Sequence, residues 1–155
     1  MESTSNPAAP STLHQEPVRL APIQSADPAP LFLYKLPAGF PSPATDYMEE
    51  GLDLNEFLIQ HKAATFLFRV QGDSMRDAGI VDGDKVVVDR SVTPRHNQIV
   101  VAVVDGEYTI KRLYRTQDRI ELRAENSTFP HLVIAADTQL EVWGVVVGVV
   151  RRYPA

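Results

Sequence analysis

The chain has no cysteine, which excludes disulfides and thiolate metal sites and suits a reducing compartment. It also lacks a bilayer-spanning run. Its longest apolar stretch, 142–150, is broken by Gly144 and Gly148, whereas a spanning helix needs about 20 apolar residues. The N-terminus has no basic start followed by an apolar core, so no secretory signal is read there. These absences point to a soluble, cytoplasmic protein with no membrane partner. Positive charge is scarce as well: 15 Lys and Arg face 20 Asp and Glu, for a net charge of −5. The basic residues Arg69, Lys85, Arg90, Arg95, Lys111, Arg112, Arg115 and Arg119 are scattered. Phosphate neutralisation needs such residues clustered, so direct DNA binding is not expected and protein partners are. His14, His61, His96 and His131 have no metal-ligand spacing, so no zinc site is expected.

What is present fits one domain. With 155 residues, 44% of them hydrophobic, the chain can bury one sizeable core. Residues 1–30 are rich in Pro, Ser, Ala, Gln and Thr, with prolines at positions 7, 10, 17, 22, 28 and 30. They read as a disordered arm, unable to hold a helix-turn-helix unit because proline breaks helices. Residues 31–36 are the arm's one strongly apolar patch and are expected as a strand lying across the body. Asp53 and Glu56 stand at capping-box spacing before Leu54, Phe57 and Leu58, which predicts a helix from Asp53 to about His61 with those three as its apolar face. Beyond it, β-branched runs recur at 65–70, 85–89, 99–104, 107–113, 119–123, 132–134 and 140–150. Gly, Asp, Asn and Pro separate them, the pattern of an antiparallel sandwich or open barrel. Asp105-Gly106 between two runs predicts a hairpin pairing 100–104 with 108–113.

The residues that carry chemistry are Ser74, in Gly72-Asp73-Ser74-Met75, and Lys111, in the alternating stretch 107–113. A serine hydroxyl attacks poorly until a base takes its proton, and a lysine can be that base only if burial makes its neutral form accessible. Strand alternation puts Lys111 on one face with Thr109 and Leu113, and Tyr108, Ile110 and Arg112 on the other. From spacing alone, a turn serine and a solvated strand lysine explain the pair more simply. Pro37-Ala38-Gly39 alone reads as a linker. Asp73 invites a triad, yet sequence neighbours in an extended segment face opposite ways, so it reads as a turn-former. Met75 fits a substrate groove or the core equally well.

Taken together, Gly72-Asp73-Ser74-Met75, Gly79-Ile80, Asp82-Gly83-Asp84, Val86-Val87-Val88-Asp89 and Asp105-Gly106-Glu107 leading into Thr109-Ile110-Lys111 resemble, in order and spacing, the LexA/UmuD family of self-cleaving serine peptidases. The resemblance runs from about Phe32 to Val150. Gly39-Phe40-Pro41-Ser42-Pro43-Ala44, Asp53-Leu54-Asn55 and Leu58-Ile59-Gln60-His61 resemble the UmuD branch. It implies a mostly β, LexA C-terminal-domain-like antiparallel fold with one short helix. It also implies Ser74 as nucleophile, Lys111 as general base, the backbone amides of Asp73 and Ser74 as oxyanion donors, and Ala38-Gly39 as the cleavage site. Ala38 departs from the cysteine common in UmuD-like chains and matches LexA-like repressors. Residues 1–38 would be the removed arm and 39–155 the Ser-Lys peptidase-like domain, with no metal or cofactor. The implied partners are a second copy in a homodimer, a RecA filament on single-stranded DNA that promotes the cut, and a UmuC-like Y-family polymerase in the SOS response. The rival reading is a non-catalytic interaction or transcription-regulatory subunit of the same fold. A signal-peptidase-like enzyme would share the Ser-Lys chemistry but calls for a membrane anchor.

Overall fold

A computed structural model describes Val18–Arg19, Ala29, residues 36–41 and residues 51–155 of the chain. The expected strand at 31–36, and the disorder expected of most of the arm, lie outside the described residues. Two points of the arm are placed by backbone pairing. Val18–Arg19 (β1) pairs antiparallel with Thr65–Arg69 (β2), and Ala29 exchanges hydrogen bonds of 3.1 and 2.6 Å with Leu52.

The body is one antiparallel sheet. After β2 come β3 (Lys85–Asp89), β4 (Ile99–Val104), β5 (Glu107–Arg115), β6 (Ile120–Arg123), β7 (Leu132–Val133) and β8 (Leu140–Val150), in the spatial order β1-β2-β3-β8-β4-β5-β6-β7. These strands fall on the β-branched runs of the sequence, with the last strand inserted at the centre. The β4–β5 hairpin forms as predicted, Val104 opposite Glu107. Its turn residues Asp105 and Gly106 have φ of 47° and 86°, the left-handed conformation that a two-residue hairpin turn requires and that Asp and Gly tolerate.

β8 binds the sheet together because its first half pairs with β4 and its second half with β3. A register shift between Val101 and Ala102 places Gly144 opposite Val101 and Val142 opposite Ala102, leaving Trp143 as the extra residue. A bulge of this kind re-aims a side chain. Trp143 accordingly joins the core cluster of Phe66, Val70, Met75, Ile80, Val86, Val88 and Val101, where its ring packs edge-on against Phe66 and Phe68. Val145 lies in the second cluster with Val100, Ala102, Leu113 and Leu122. Alternation along β4 and β5 thus supplies both faces.

The helix is shorter than its sequence pattern predicts. It spans Leu54–Leu58 (α1), capped by the Asp53 carboxylate, which accepts from the backbone N–H groups of Asn55 and Glu56 at 2.8 and 3.3 Å. A separate 3₁₀ turn follows at Lys62–Ala64. Its expected apolar face is corrected too, since Leu54 and Phe57 are exposed, while Leu58 reaches the sheet beside Gly148 and Val87. A helix of five residues presents too little surface for an apolar stripe to be covered along its length.

Candidate active site

Ser74 stands in the loop between β2 and β3, and tertiary bonds hold that loop. The Gly72 N–H donates to the Asp82 carboxylate at 2.7 Å, and the short 3₁₀ turn Arg76–Ala78 follows. Met75, 1% exposed, and Ile80, 2% exposed, anchor the loop in the first core cluster. This resolves the two readings of Met75 in favour of the core. On the other side, the segment after β6 closes against the loop: the Glu125 N–H donates to the Ser74 carbonyl at 2.7 Å, and the Asp77 N–H to the Glu125 carbonyl at 2.8 Å. The Asn126 amide donates to the Asp73 carbonyl at 2.9 Å. Arg112, paired with Glu125 and donating to the Asn97 carbonyl at 2.6 Å, ties that segment to β5.

Lys111 projects from β5 toward this loop. Its Nζ lies 2.9 Å from Ser74 Oγ, 3.0 Å from Thr109 Oγ1 and 3.0 Å from the Ile110 carbonyl oxygen. Among the described residues no carboxylate pairs with it. Burial lowers its pKa from the ordinary 10.5, because a low-dielectric site disfavours the ammonium. The three neighbours suit a neutral amine, which has two N–H bonds to donate to Thr109 and Ile110 and one lone pair to accept the Ser74 hydroxyl proton. A cleft of about 300 Å³ opens over the pair, lined by Phe68, Val70, Val86, Tyr108 and Ile110 as well as Ser74 and Lys111.

The other predicted site residues are placed less centrally. Asp73 is exposed, and its carboxylate makes no hydrogen bond among the described residues, consistent with a turn-former. The backbone N–H groups of Asp73 and Ser74 have no acceptor among the described residues, so both remain available as donors. Ala38 and Gly39 lie exposed in the segment 36–41, outside the residues that line the cleft. Sequence reasoning placed Thr109 on the face of Lys111 but missed it as a partner. It missed Glu125 and Asn126 entirely, since nothing local in Ala124-Glu125-Asn126 signals a loop docked on the serine. Among the described residues no group of His, Asp and Glu could hold a metal ion, and no helix is long and apolar enough to cross a membrane.

A serine hydroxyl beside a half-buried lysine of β5 is an arrangement suited to hydrolysis, and comparison with known proteins puts the chain among peptidases. The Peptidase S24-like family profile matches residues 30–147. The chain belongs to that family, that of the LexA/UmuD self-cleaving serine peptidases, and to its UmuD-like branch. It is 46% identical over 131 residues to protein SamA of Salmonella typhimurium, covering 84% of this chain and 89% of SamA. It is 45% identical over 124 residues to protein ImpA of Escherichia coli, covering 79% and 83%. With the LexA repressor of Syntrophotalea carbinolica it shares 49% identity over 88 residues, 57% of this chain and 44% of the repressor.

Proposed function

We propose that this chain cuts its own Ala38–Gly39 peptide bond, with Ser74 as nucleophile and Lys111 as general base. The observation that carries the reading is the 2.9 Å approach of Lys111 Nζ to Ser74 Oγ, with no carboxylate among the described residues paired to the lysine. The neutral amine takes the hydroxyl proton as Oγ attacks the Ala38 carbonyl. Backbone N–H groups of Asp73 and Ser74 receive the oxyanion, the amine of Gly39 leaves with a proton from Lys111, and water hydrolyses the acyl-enzyme. Ala38 and its glycine neighbour are small, and a Cβ at Gly39 would meet no heavy atom within 4 Å in the exposed state. Glycine is useful instead in the docked state, where the backbone must approach the nucleophile closely. Because the segment is exposed, chemistry waits on its docking into the cleft.

Under this reading residues 1–38 are removed, and the 39–155 fragment is the active product. A RecA filament on single-stranded DNA promotes the docking step, and the product works as a homodimer with a UmuC-like Y-family polymerase in translesion synthesis during the SOS response. Support for this is the 45–46% identity to SamA and ImpA. Intact mass after incubation of the purified full chain at alkaline pH tests the chemistry. The expected product begins at Gly39, and neither Ser74→Ala nor Lys111→Ala yields it. A fragment beginning elsewhere would sink the site assignment, and an uncut wild-type chain would favour the non-catalytic subunit.

A further inference from the structure

Asn126 is 5% exposed, and every polar atom of its side chain is used. Its Oδ1 accepts from the Thr128 N–H at 3.1 Å and from the Thr128 hydroxyl at 2.9 Å. A backbone N–H can only donate, so the atom facing it is the oxygen, and the amide nitrogen necessarily faces the other way, toward the Asp73 carbonyl at 2.9 Å. The orientation of the side chain is therefore fixed by its surroundings.

The Asp73 carbonyl and the Ser74 N–H belong to one peptide plane. No cis peptide bond occurs among the described residues, and in a trans peptide the C=O and N–H point in opposite directions. Holding the carbonyl thus aims the N–H; the Arg76 N–H also donates to it, at 3.2 Å, from within the loop, and the shorter Asn126 bond is the one that reaches it from outside. The following plane is held too, because the Glu125 N–H donates to the Ser74 carbonyl at 2.7 Å. Two consecutive residues of the segment after β6 so clamp both peptide planes that meet at the Ser74 Cα. Gly72, with φ of 90°, leaves the chain just upstream free to turn and could not hold the plane by itself.

We infer that Asn126 is a positioning residue for self-cleavage: its side-chain amide, by binding the Asp73 carbonyl, holds the Ser74 N–H in the direction from which it stabilises the oxyanion. The inference rests on the reading of Ser74 as nucleophile. Asn126 touches neither the hydroxyl nor Lys111. It acts on the part of the barrier set by the oxyanion donor and leaves the titration of the base alone.

The test uses the full-length chain. Asn126→Asp keeps the oxygen that Thr128 binds and replaces the donor with an oxygen that repels the Asp73 carbonyl. The rate of self-cleavage at its alkaline plateau should fall about 10- to 100-fold, somewhat less than the loss of an oxyanion donor outright. Asn126→Ala, which removes the donor without adding a charge near Lys111, should lose rate likewise while the midpoint of its pH–rate profile stays at the wild-type value. A plateau equal to wild type in both variants overturns the inference, as does a plateau loss accompanied by a moved midpoint in the uncharged Asn126→Ala. Thr128→Ala, which leaves the donor in place, should cleave at close to the wild-type rate; a loss matching that of Asn126→Asp would mean that loop integrity alone matters, which also overturns it. Should Asn126→Asp not fold, NMR of the wild-type chain decides: a through-bond coupling between the Asn126 amide and the Asp73 carbonyl supports the inference, and its absence overturns it. Cleavage by Ser74→Ala would instead overturn the nucleophile assignment, so the two failures are distinguishable.

Discussion

Lys111 has two consequences that can be measured separately, one in rate and one in stability. Its pKa is lowered by burial, so the neutral, reactive fraction grows as pH rises and levels off once pH passes the lowered value. Self-cleavage without a partner should accelerate from neutral pH with a midpoint below the ordinary 10.5; a flat profile would remove Lys111 as the titrating base. Lys111→Arg should be inactive at every accessible pH, because guanidinium keeps its proton. The stability effect has a definite sign. Between the lowered folded value and 10.5 the unfolded chain binds a proton that the folded protein does not, so stability attributable to this residue increases as pH rises through that window. Below the window the buried ammonium costs stability. Lys111→Met should therefore raise Tm near pH 6 by scanning calorimetry, and the advantage should shrink toward pH 10. An advantage independent of pH would place its origin in packing alone.

Among the elements, β8 depends on its glycines. A Cβ on Gly144 would lie 2.7 Å from Val88 Cγ1 and 3.2 Å from the Asp89 carbonyl oxygen, inside contact distance of a strand that cannot retreat. Gly144→Ala should cost about 1–3 kcal/mol, as overpacking does, read as a lower urea midpoint with unchanged m-value. The end of β8 is pinned differently. Arg151 binds the Asp84 carboxylate through two nitrogens at 2.6 and 2.7 Å and donates to the Gly79 carbonyl at 2.8 Å. Asp84 is 2% exposed, and the hydrogen bond from Arg151 is the main cause of its lowered pKa. A carboxyl depressed in the folded state contributes stability above its unfolded pKa and loses it as pH falls through the folded one. Arg151→Gln should accordingly weaken the chain at neutral pH and leave less to lose below pH 4. Acid titrations of Tm for the two proteins should converge.

At the scale of the whole molecule, the apolar excess of β8 is only partly absorbed within one subunit. Trp143, Gly144 and Val145 are buried, whereas Val147, Val149 and Val150 are 45%, 39% and 38% exposed. Phe57 of α1 and Val147 line the same small groove, so the exposed end of the strand continues into the uncovered face of the helix. An apolar surface of this kind is what a second copy would cover. The 39–155 fragment should sediment as a homodimer at micromolar concentration, and Val147→Lys combined with Val149→Lys should shift it to monomer. A wild-type fragment sedimenting as monomer would defeat the prediction.

The sequence by itself determined most of the strand inventory, the β4–β5 hairpin and the residues to suspect, because alternation, β-branching and Asp-Gly turns act locally. Its resemblance to the LexA/UmuD family also pointed to Ser74 and Lys111 before any contact was visible. It overstated the helix, since the capping signal at Asp53 marks a start but nothing local marks the end at Leu58. Tertiary structure decided the rest. That β8 lies between β3 and β4, that a bulge turns Trp143 into the core, and that Lys111 reaches Ser74 all depend on pairings between distant segments. The same is true of Asn126, whose grip on the Asp73 carbonyl joins residues 53 positions apart. Burial lowers the pKa of Lys111, and burial belongs to the assembled sheet rather than to any stretch of chain.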